Sequence, residues 1–296
     1  MSKELKHLLG PQKSAQTYGS DEHDEHDEHD DDESDDDASD VDEEEAKVNL
    51  LRRVDLFTLS YNVQKGYRGT ELRLTSFARP HMRAFHASWC CLFVSFFTQF
   101  AMAPLLPIIS KSLHLSKKEV WQGNLAMMVG GIPMRLMIGP LVEKYGGRGA
   151  MTMIVAFSGI VCGLSGFVVD ATTLSLVRFA LGAMDTFVPC QFWITCLFVR
   201  EVAATAMAIA GGLGSVGSAF TQVVLGTAFF PSLTYVLHGD EDLAWRLTLI
   251  VPAIVSVATG WFFSQYSDDC PLGNFQEVKR AGLMVERSAV DSFRSG

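Results

Sequence analysis

Long apolar runs without charged residues constrain the fold of this chain more than any other feature. The run at 120–142 contains a single charged side chain, Arg135, and is long enough to cross a bilayer, because the hydrocarbon core needs about 20 apolar residues in a helix. Five further runs of similar length contain only Arg178 and Asp185 as charged residues. The sequence therefore predicts an all-α integral membrane protein with six transmembrane helices. The predicted spans lie at 84–110, 120–142, 149–169, 173–199, 203–230 and 247–267.

The charged residues are concentrated outside these runs. The tract at 21–45 holds 18 of the 34 acidic residues and no basic residue, so the rest of the chain carries a formal net charge of +8. Residues 1–46 are predicted to be a disordered acidic tail, since this composition cannot bury apolar surface. The next segment, 47–83, carries eight Lys and Arg residues directly before the first predicted span. Such a basic juxtamembrane segment is typical of the cytoplasmic side and of contact with the lipid bilayer.

The distribution of basic residues predicts the orientation in the membrane. With the amino terminus inside, and with Lys3, Lys6 and Lys13 of the tail left aside, the cytoplasmic segments hold 15 Lys and Arg residues and the outer loops hold four. The positive-inside rule then places both termini in the cytoplasm, with 268–296 as the start of a cytoplasmic loop. No cleaved secretory signal is expected in the hydrophilic first 80 residues. Pro231 is expected to end the fifth helix and to leave 232–242 as an outer loop.

The residues that commonly bind metals predict no metal or cofactor site. Five of the six cysteines lie in predicted spans, where they are interpreted as small packing residues. His23, His26 and His29 could hold a transition metal, but their spacing defines no site and a solvated tail is the preferred interpretation. The spans contain no nucleophile with a base and no phosphate loop, so neither an enzyme nor a nucleic-acid-binding protein is predicted.

Arg135 is the main candidate for chemistry. A charge inside an apolar span costs several kcal/mol unless it faces protein, water or a ligand. Gly131, Gly139 and Asn124 are predicted on the same helical face, and the guanidinium fork suits a planar oxyanion. The sequence leaves two alternatives open for Arg135, which are anion binding and a structural ion pair with Asp185.

Three further features could contribute to a transport site. In the fourth predicted span, Arg178 and Asp185 are two helical turns apart, and Asp185 is either a proton carrier or a structural partner of an arginine. The glycine-rich stretch at 210–222 allows either tight helix packing or close approach of a substrate to the backbone. The connection at 139–148 contains Glu143 and Arg148, and its charges are predicted to form a latch that opens and closes during alternating access.

Several of these segments resemble a known family. The 139–148 segment resembles the loop motif between helices 2 and 3 of the major facilitator superfamily, with Glu143 where aspartate is usual, and RFALG at 178–182 resembles its helix 4 motif. A narrower resemblance is to the nitrate/nitrite porters, in particular to the amino-terminal half of eukaryotic high-affinity nitrate transporters. The segments that carry it are SFARPHMRAFHASW at 76–89, APLLPII at 103–109, GN at 123–124, TFVPCQFW at 186–193, AWR at 244–246 and DDCPLGNF at 268–275.

The resemblance implies uptake of nitrate, or of nitrite, coupled to protons. It places Arg135 at the position of the family's substrate-binding arginine in helix 2. It also places the family's glycine-rich nitrate signature on 212–217, although Leu213 stands where tryptophan is usual and Ser215 where asparagine is usual. The substrate-binding residues that it implies are Arg135, Asn124, Gly212, Gly214, Ser215 and Gly217.

The length of the chain differs from that of the family, whose members have twelve helices. The six predicted spans correspond to one half, so the expected forms are a fragment, a homodimer of halves, or a regulatory half-protein. The predicted function is a proton-coupled nitrate transporter of the plasma membrane that works by alternating access. The alternative is a non-transporting nitrate sensor or a half-protein that pairs with a full-length transporter.

Overall fold

The computed structural model describes residues 47–283, most of which are helical. The predicted acidic tail and the end of the predicted cytoplasmic loop lie outside these residues. The helices in chain order are α1 (His81–Gln99), α2 (Leu106–Ser112), α3 (Lys117–Leu164), α4 (Ala171–Ala183), α5 (Phe187–Leu197), α6 (Arg200–Val223), α7 (Phe230–Val236), α8 (Glu241–Thr248), α9 (Ile250–Tyr266) and α10 (Phe275–Arg280).

Three helical stretches are long and apolar enough to cross a membrane. They are Lys117–Phe167, Arg200–Val236 and Glu241–Tyr266. The predicted spans at 84–110 and 173–199 are each divided between two shorter helices, α1 with α2 and α4 with α5. The structure therefore confirms a mainly helical protein with candidate membrane spans, and the count of six stays a prediction.

Helix α3 joins the second and third predicted spans through a kink. It begins with a capping box, in which Ser116 accepts from the backbone N–H of Glu119 and the Glu119 carboxylate accepts from that of Ser116. Gly146 has φ 76° and ψ 171°, a conformation that is nearly exclusive to glycine, so the helix is interrupted there. This kink lies within the predicted connection at 139–148.

The prediction that Pro231 ends a helix is wrong. A π-helical turn, Val224–Phe229, follows α6 and leads directly into α7, which continues to Val236. The wider turn shifts the hydrogen-bond register, so that Pro231 falls in the first turn of α7, where its missing N–H is tolerated. Within the predicted loop at 232–242, only residues 237–240 are non-helical, and 241–242 already belong to α8.

Glycines set the closest helix contacts. Helix α3 packs against α4 and α9, while α6 packs against α1. A Cβ atom on Gly130 would overlap the carbonyl of Phe179, and a Cβ atom on Gly182 would overlap that of Met127. Small residues allow such close approach of helix backbones in membrane proteins. The α3–α4 contact fixes the two elements that carry the candidate site.

The basic segment at 47–83 contains a short hairpin that the sequence did not predict. Strand β1 (Tyr61–Asn62) pairs antiparallel with β2 (Arg68–Gly69), with Tyr61 opposite Gly69. Gly69 also forms a parallel bridge with Phe198, just after α5. The fold is therefore mainly helical rather than entirely helical, and the hairpin rests on the end of α5.

Candidate anion-binding site

Arg135 and Asp185 meet where α3 passes the break between α4 and α5. The Nε of Arg135 donates to Oδ2 of Asp185 at 2.8 Å. The other carboxylate oxygen, Oδ1, accepts the backbone N–H of Phe187 at 3.0 Å, which caps the start of α5. Asp185 therefore lies in a break at 184–186, not inside a continuous span as the sequence predicted, and the break lets its carboxylate reach α3.

The pair is asymmetric in its exposure. The side chain of Arg135 is 70% exposed, whereas that of Asp185 is 13% exposed. Within residues 47–283, the two terminal nitrogens of Arg135 have no hydrogen-bond or ion-pair partner. Because the carboxylate engages only Nε, the outer edge of the guanidinium can still donate two parallel hydrogen bonds to a planar oxyanion. Ion pairing and anion binding, which the sequence offered as alternatives, are thus geometrically compatible.

The residues predicted to flank Arg135 have different surroundings. A Cβ atom on Gly131 would lie 3.4 Å from the carbonyl of Gly182, so this glycine faces α4, whereas Gly139 has nothing within 4 Å. Asn124 is exposed on the same helix. Eleven residues separate it from Arg135, which is about 16 Å along a helix. Asn124 therefore stays a predicted contact of the anion rather than an observed part of the Arg135 site.

The glycine-rich stretch of α6 has two distinct faces. Cβ atoms on Gly214 and Gly217 would overlap Leu92 and Phe93 of α1. Gly212 and Ser215 lie on the exposed face, and the Ser215 hydroxyl donates to the carbonyl of Gly211, four residues earlier. In the part of the chain that the structure describes, Arg135 makes no polar contact with α6. The stretch therefore serves helix packing on one face and leaves the other face open.

We expect Gly217→Ala to lower the stability of the α1–α6 contact by about 1–3 kcal/mol, because the added methyl would meet the Phe93 carbonyl. Gly212→Ala is the matched control, since no atom lies within 4 Å of its Cβ position. Thermal unfolding of both variants in detergent tests the difference. Equal midpoints for the two variants would contradict the assignment of the two faces.

The predicted latch at 139–148 is bound to the segment that follows α9. The guanidinium of Arg148 donates from Nη1 to the carbonyl of Ser267 at 2.8 Å and from Nη2 to Oδ1 of Asn274 at 2.9 Å. The backbone N–H of Arg148 donates to Oδ1 of Asp269 at 2.9 Å. We call Gly146, Arg148, Ser267, Asp269 and Asn274 the kink cluster. The segment DDCPLGNF at 268–275 resembles the nitrate/nitrite porters, but its sequence did not predict this contact with Arg148.

Asp269 is the buried acid of the kink cluster, and 3% of the residue is exposed. Burial raises the pKa of its carboxyl group above the usual value, while the N–H groups of Arg148 and Phe275 and the charge of Arg148 oppose this rise. By contrast, Glu143, which the sequence predicted to contribute to the latch, is exposed. The charge contacts of this region therefore centre on Arg148.

Arg178 is a buried cation that stands apart from the Arg135–Asp185 pair. The residue is 6% exposed and lies against Gly123, and its Nη2 is 3.5 Å from the sulfur of Met127. Its Nε and Nη1 have no hydrogen-bond partner among the described residues. Asp185 therefore pairs with the arginine of α3 and not with the arginine of its own predicted span.

The thiols and potential metal ligands add no further site to those described. All six cysteines are free thiols. No group of three or more His, Cys, Asp or Glu residues within 47–283 has the geometry to hold a metal ion. The tail histidines at 23, 26 and 29 lie outside that range.

Apolar helices joined by tight glycine contacts, with an exposed arginine inside one of them, are typical of a helical membrane protein with a polar site. The sequence profile of the Major Facilitator Superfamily matches residues 88–279, so the chain belongs to this superfamily. Membership agrees with the predicted transporter class rather than with an enzyme.

Curated relatives give a narrower similarity. The chain is 32% identical to High affinity nitrate transporter 2.7 of Arabidopsis thaliana over 74% of this chain and 44% of that protein. It is 32% identical to Nitrate transporter 2.1 of Chlamydomonas reinhardtii, over 72% of this chain and 39% of that protein. It is 25% identical to the Nitrate/nitrite transporter NrtP of Nostoc punctiforme, over 75% of this chain and 44% of that protein. These similarities confirm the predicted resemblance to nitrate/nitrite porters.

The alignments cover only part of each relative. The chain spans less than half the length of each of these curated relatives. No solved structure gives a significant match to the chain.

Proposed function

We propose that the chain is a six-helix half of a nitrate, or nitrite, transporter of the plasma membrane that works as a proton symporter. The names of the relatives support the substrate. The observation that carries the proposal is the Arg135–Asp185 pair, in which an exposed guanidinium keeps its terminal nitrogens free. Both termini are proposed to lie in the cytoplasm, from the excess of basic residues in the predicted inner segments.

The free edge of Arg135 supplies the anion site. Nitrate has three oxygens in one plane, and two of them can accept the parallel N–H groups of a guanidinium. In an apolar span the anion also neutralises a charge that is otherwise costly to keep there. Arg135 is therefore the residue that binds nitrate, and Gly139 leaves the approach open on one side.

Asp185 supplies the coupling to protons. While ionised, its carboxylate neutralises Arg135 and weakens the attraction for a second anion. When a proton neutralises the carboxylate, Arg135 keeps its full charge for nitrate, so proton and anion bind with positive cooperativity. Movement of both together across the membrane is symport.

The surface around Arg135 is suited to a second half. Exposed apolar side chains surround it on α3, including Ile132, Leu136 and Met137. Facilitator sites lie at the interface between two halves that rock against each other, and small residues on both sides allow the movement. The second half is supplied either by further chain, as in the longer relatives, or by another copy of this chain.

Uptake of isotopically labelled nitrate into proteoliposomes that contain this chain tests the proposal. We expect uptake driven by an inward proton gradient, and little uptake without the gradient. Nitrate binding without uptake by the folded protein would favour the sensor or regulatory half-protein. The absence of both nitrate binding and nitrate uptake would contradict the proposed function.

We expect Asp185→Asn to tighten nitrate binding about threefold to tenfold at neutral pH, since an exposed ion pair is worth roughly 1 kcal/mol. The amide keeps one acceptor oxygen, for either the Phe187 N–H or the Arg135 Nε–H, while the competing charge is gone. Calorimetric titration of the wild type and of the variant with nitrate measures the change in affinity.

Asp240→Asn is the matched control, because Asp240 also caps a helix by accepting the N–H of Leu243 and lies away from Arg135 in sequence. Its titrations should match those of the wild type. An unchanged nitrate affinity in Asp185→Asn would show that the Asp185 charge does not compete with the anion.

A further inference from the structure

We propose that Asp269 is a positioning residue that holds two helix starts together and thereby closes the gate at the α3 kink. The meaning of this contact as a gate rests on the proposed transport function. The contact itself is a property of the fold and can be tested without nitrate.

A single carboxylate caps both helices. The second part of α3 starts after Gly146, and its first N–H groups have no acceptor within the helix. One of them, on Arg148, donates to Oδ1 of Asp269 at 2.9 Å. The N–H of Phe275, at the start of α10, donates to Oδ2 at 3.2 Å. Asn274, the N-cap residue of α10, makes no side-chain cap hydrogen bond, so the carboxylate of Asp269 takes that role.

The residues around the Asp269 carboxylate leave space for it and add further hydrogen bonds to the same segment. A Cβ atom on Gly146 would overlap the Asp269 side chain and would lie 2.6 Å from Cβ of Phe275. The guanidinium of Arg148 adds two hydrogen bonds from α3 to the same segment, at Ser267 and Asn274. These contacts join the α3 kink to the chain that leaves α9.

Burial makes the contact cooperative. Asp269 is almost fully buried, and a buried carboxylate that loses one of its donors is left with an unpaired oxygen. Loss of one cap therefore weakens the other. Since Asp269 follows the end of α9 at Tyr266 by only three residues, a shift of α9 against α3 would release both helix starts as one unit.

Hydrogen–deuterium exchange of the full chain in lipid nanodiscs tests this coupling. Asp269→Asn keeps the size of the side chain but replaces one acceptor oxygen with a donor. We expect the amides of Arg148 and Phe275 to exchange about tenfold faster in this variant, and to change together. Asp268→Asn is the matched control, because the Asp268 carboxylate approaches Arg79 at 4.0 Å and caps neither helix. Faster exchange at only one of the two sites, or an equal change in the control, would overturn the proposal.

Asn274→Ala provides a second test that leaves Asp269 in place and remains informative if Asp269→Asn does not fold. It removes one acceptor of the Arg148 guanidinium, so we expect a smaller acceleration that is again equal at both amides. Independent changes at the two amides would overturn the proposal in this variant as well.

The gating role has its own readout. Asp269→Asn should leave the affinity for nitrate within about twofold of wild type, because Asp269 is outside the Arg135 site, while the rate of nitrate uptake changes. Loss of affinity together with rate would indicate a general structural defect and would overturn the gating role. If the wild type does not bind nitrate, the proposed function fails, and the exchange experiment still decides whether Asp269 couples the two helix starts.

Discussion

Arg135→Lys is expected to weaken nitrate binding about 10- to 100-fold. Lysine keeps the positive charge but loses the planar fork, so it cannot donate two parallel hydrogen bonds to nitrate while it also holds Asp185. A hydrogen bond to a charged group is worth about 1.5–3 kcal/mol, and each 1.4 kcal/mol corresponds to a factor of ten in affinity. Calorimetric titration of the purified variant with nitrate measures the loss.

The yield and thermal stability of folded Arg135→Lys should match those of the wild type, because the side chain is 70% exposed. Arg200→Lys is the control for the substitution itself, since Arg200 is exposed at the start of α6. Parallel loss of folded protein and of nitrate binding in Arg135→Lys would instead support a purely structural ion pair with Asp185.

Gly146→Ala is expected to destabilise the fold by about 2–6 kcal/mol. The backbone conformation at Gly146 costs a non-glycine residue about 1–3 kcal/mol. The added methyl would also overlap the Asp269 carboxylate and crowd Phe275, and overpacking of this kind costs about 1–3 kcal/mol more. The unfolding midpoint in detergent, followed by tryptophan fluorescence, measures the effect.

Gly139→Ala is the matched control from the same predicted connection, because no atom lies within 4 Å of its Cβ position. Its φ is not in the positive region, and alanine has the higher helix propensity, so its stability should equal or exceed that of the wild type. A Gly146→Ala variant as stable as Gly139→Ala would contradict the prediction, because the kink would then tolerate a side chain at 146.

The geometry of the Arg135–Asp185 pair bears on both interpretations of Arg135, as a structural ion pair and as an anion-binding residue. A purely structural pair is expected to satisfy both partners, yet the carboxylate engages one nitrogen and also caps α5. Both carboxylate oxygens thus accept a hydrogen bond, whereas only one of the three guanidinium nitrogens donates one. This exposure distinguishes Arg135 from Arg178, which is buried against α3.

Much of the membrane organisation could be predicted from the sequence. Absence of charge over long runs predicted the apolar helices, because a bilayer excludes unpaired charges regardless of how the helices pack. The motif at 139–148 and the segments around it also predicted the superfamily that the comparisons confirmed. Hydropathy could not predict the breaks at 100–105 and 184–186, since both lie within apolar runs.

The candidate site was only partly predictable. The sequence singled out Arg135 and Asp185, because charged residues in an apolar span need a partner or a ligand. It could not decide which arginine Asp185 meets, since that depends on how α3 crosses the break after α4. The sequence also placed Gly212, Gly214 and Gly217 together in one substrate-binding stretch. In the structure, Gly214 and Gly217 pack against α1, whereas Gly212 lies on the exposed face.

The sequence by itself determined the apolar helices, the family and the position of the arginine, because each of these follows from local composition or from short motifs. Only the tertiary structure decided that Asp185 holds Arg135 by a single nitrogen, and that Asp269 joins the kink of α3 to the start of α10. Both contacts link residues that are far apart in the chain, 50 positions in the first case and 121 between Arg148 and Asp269. Their geometry is set by the glycine contacts through which the helices pack, and no local pattern encodes it.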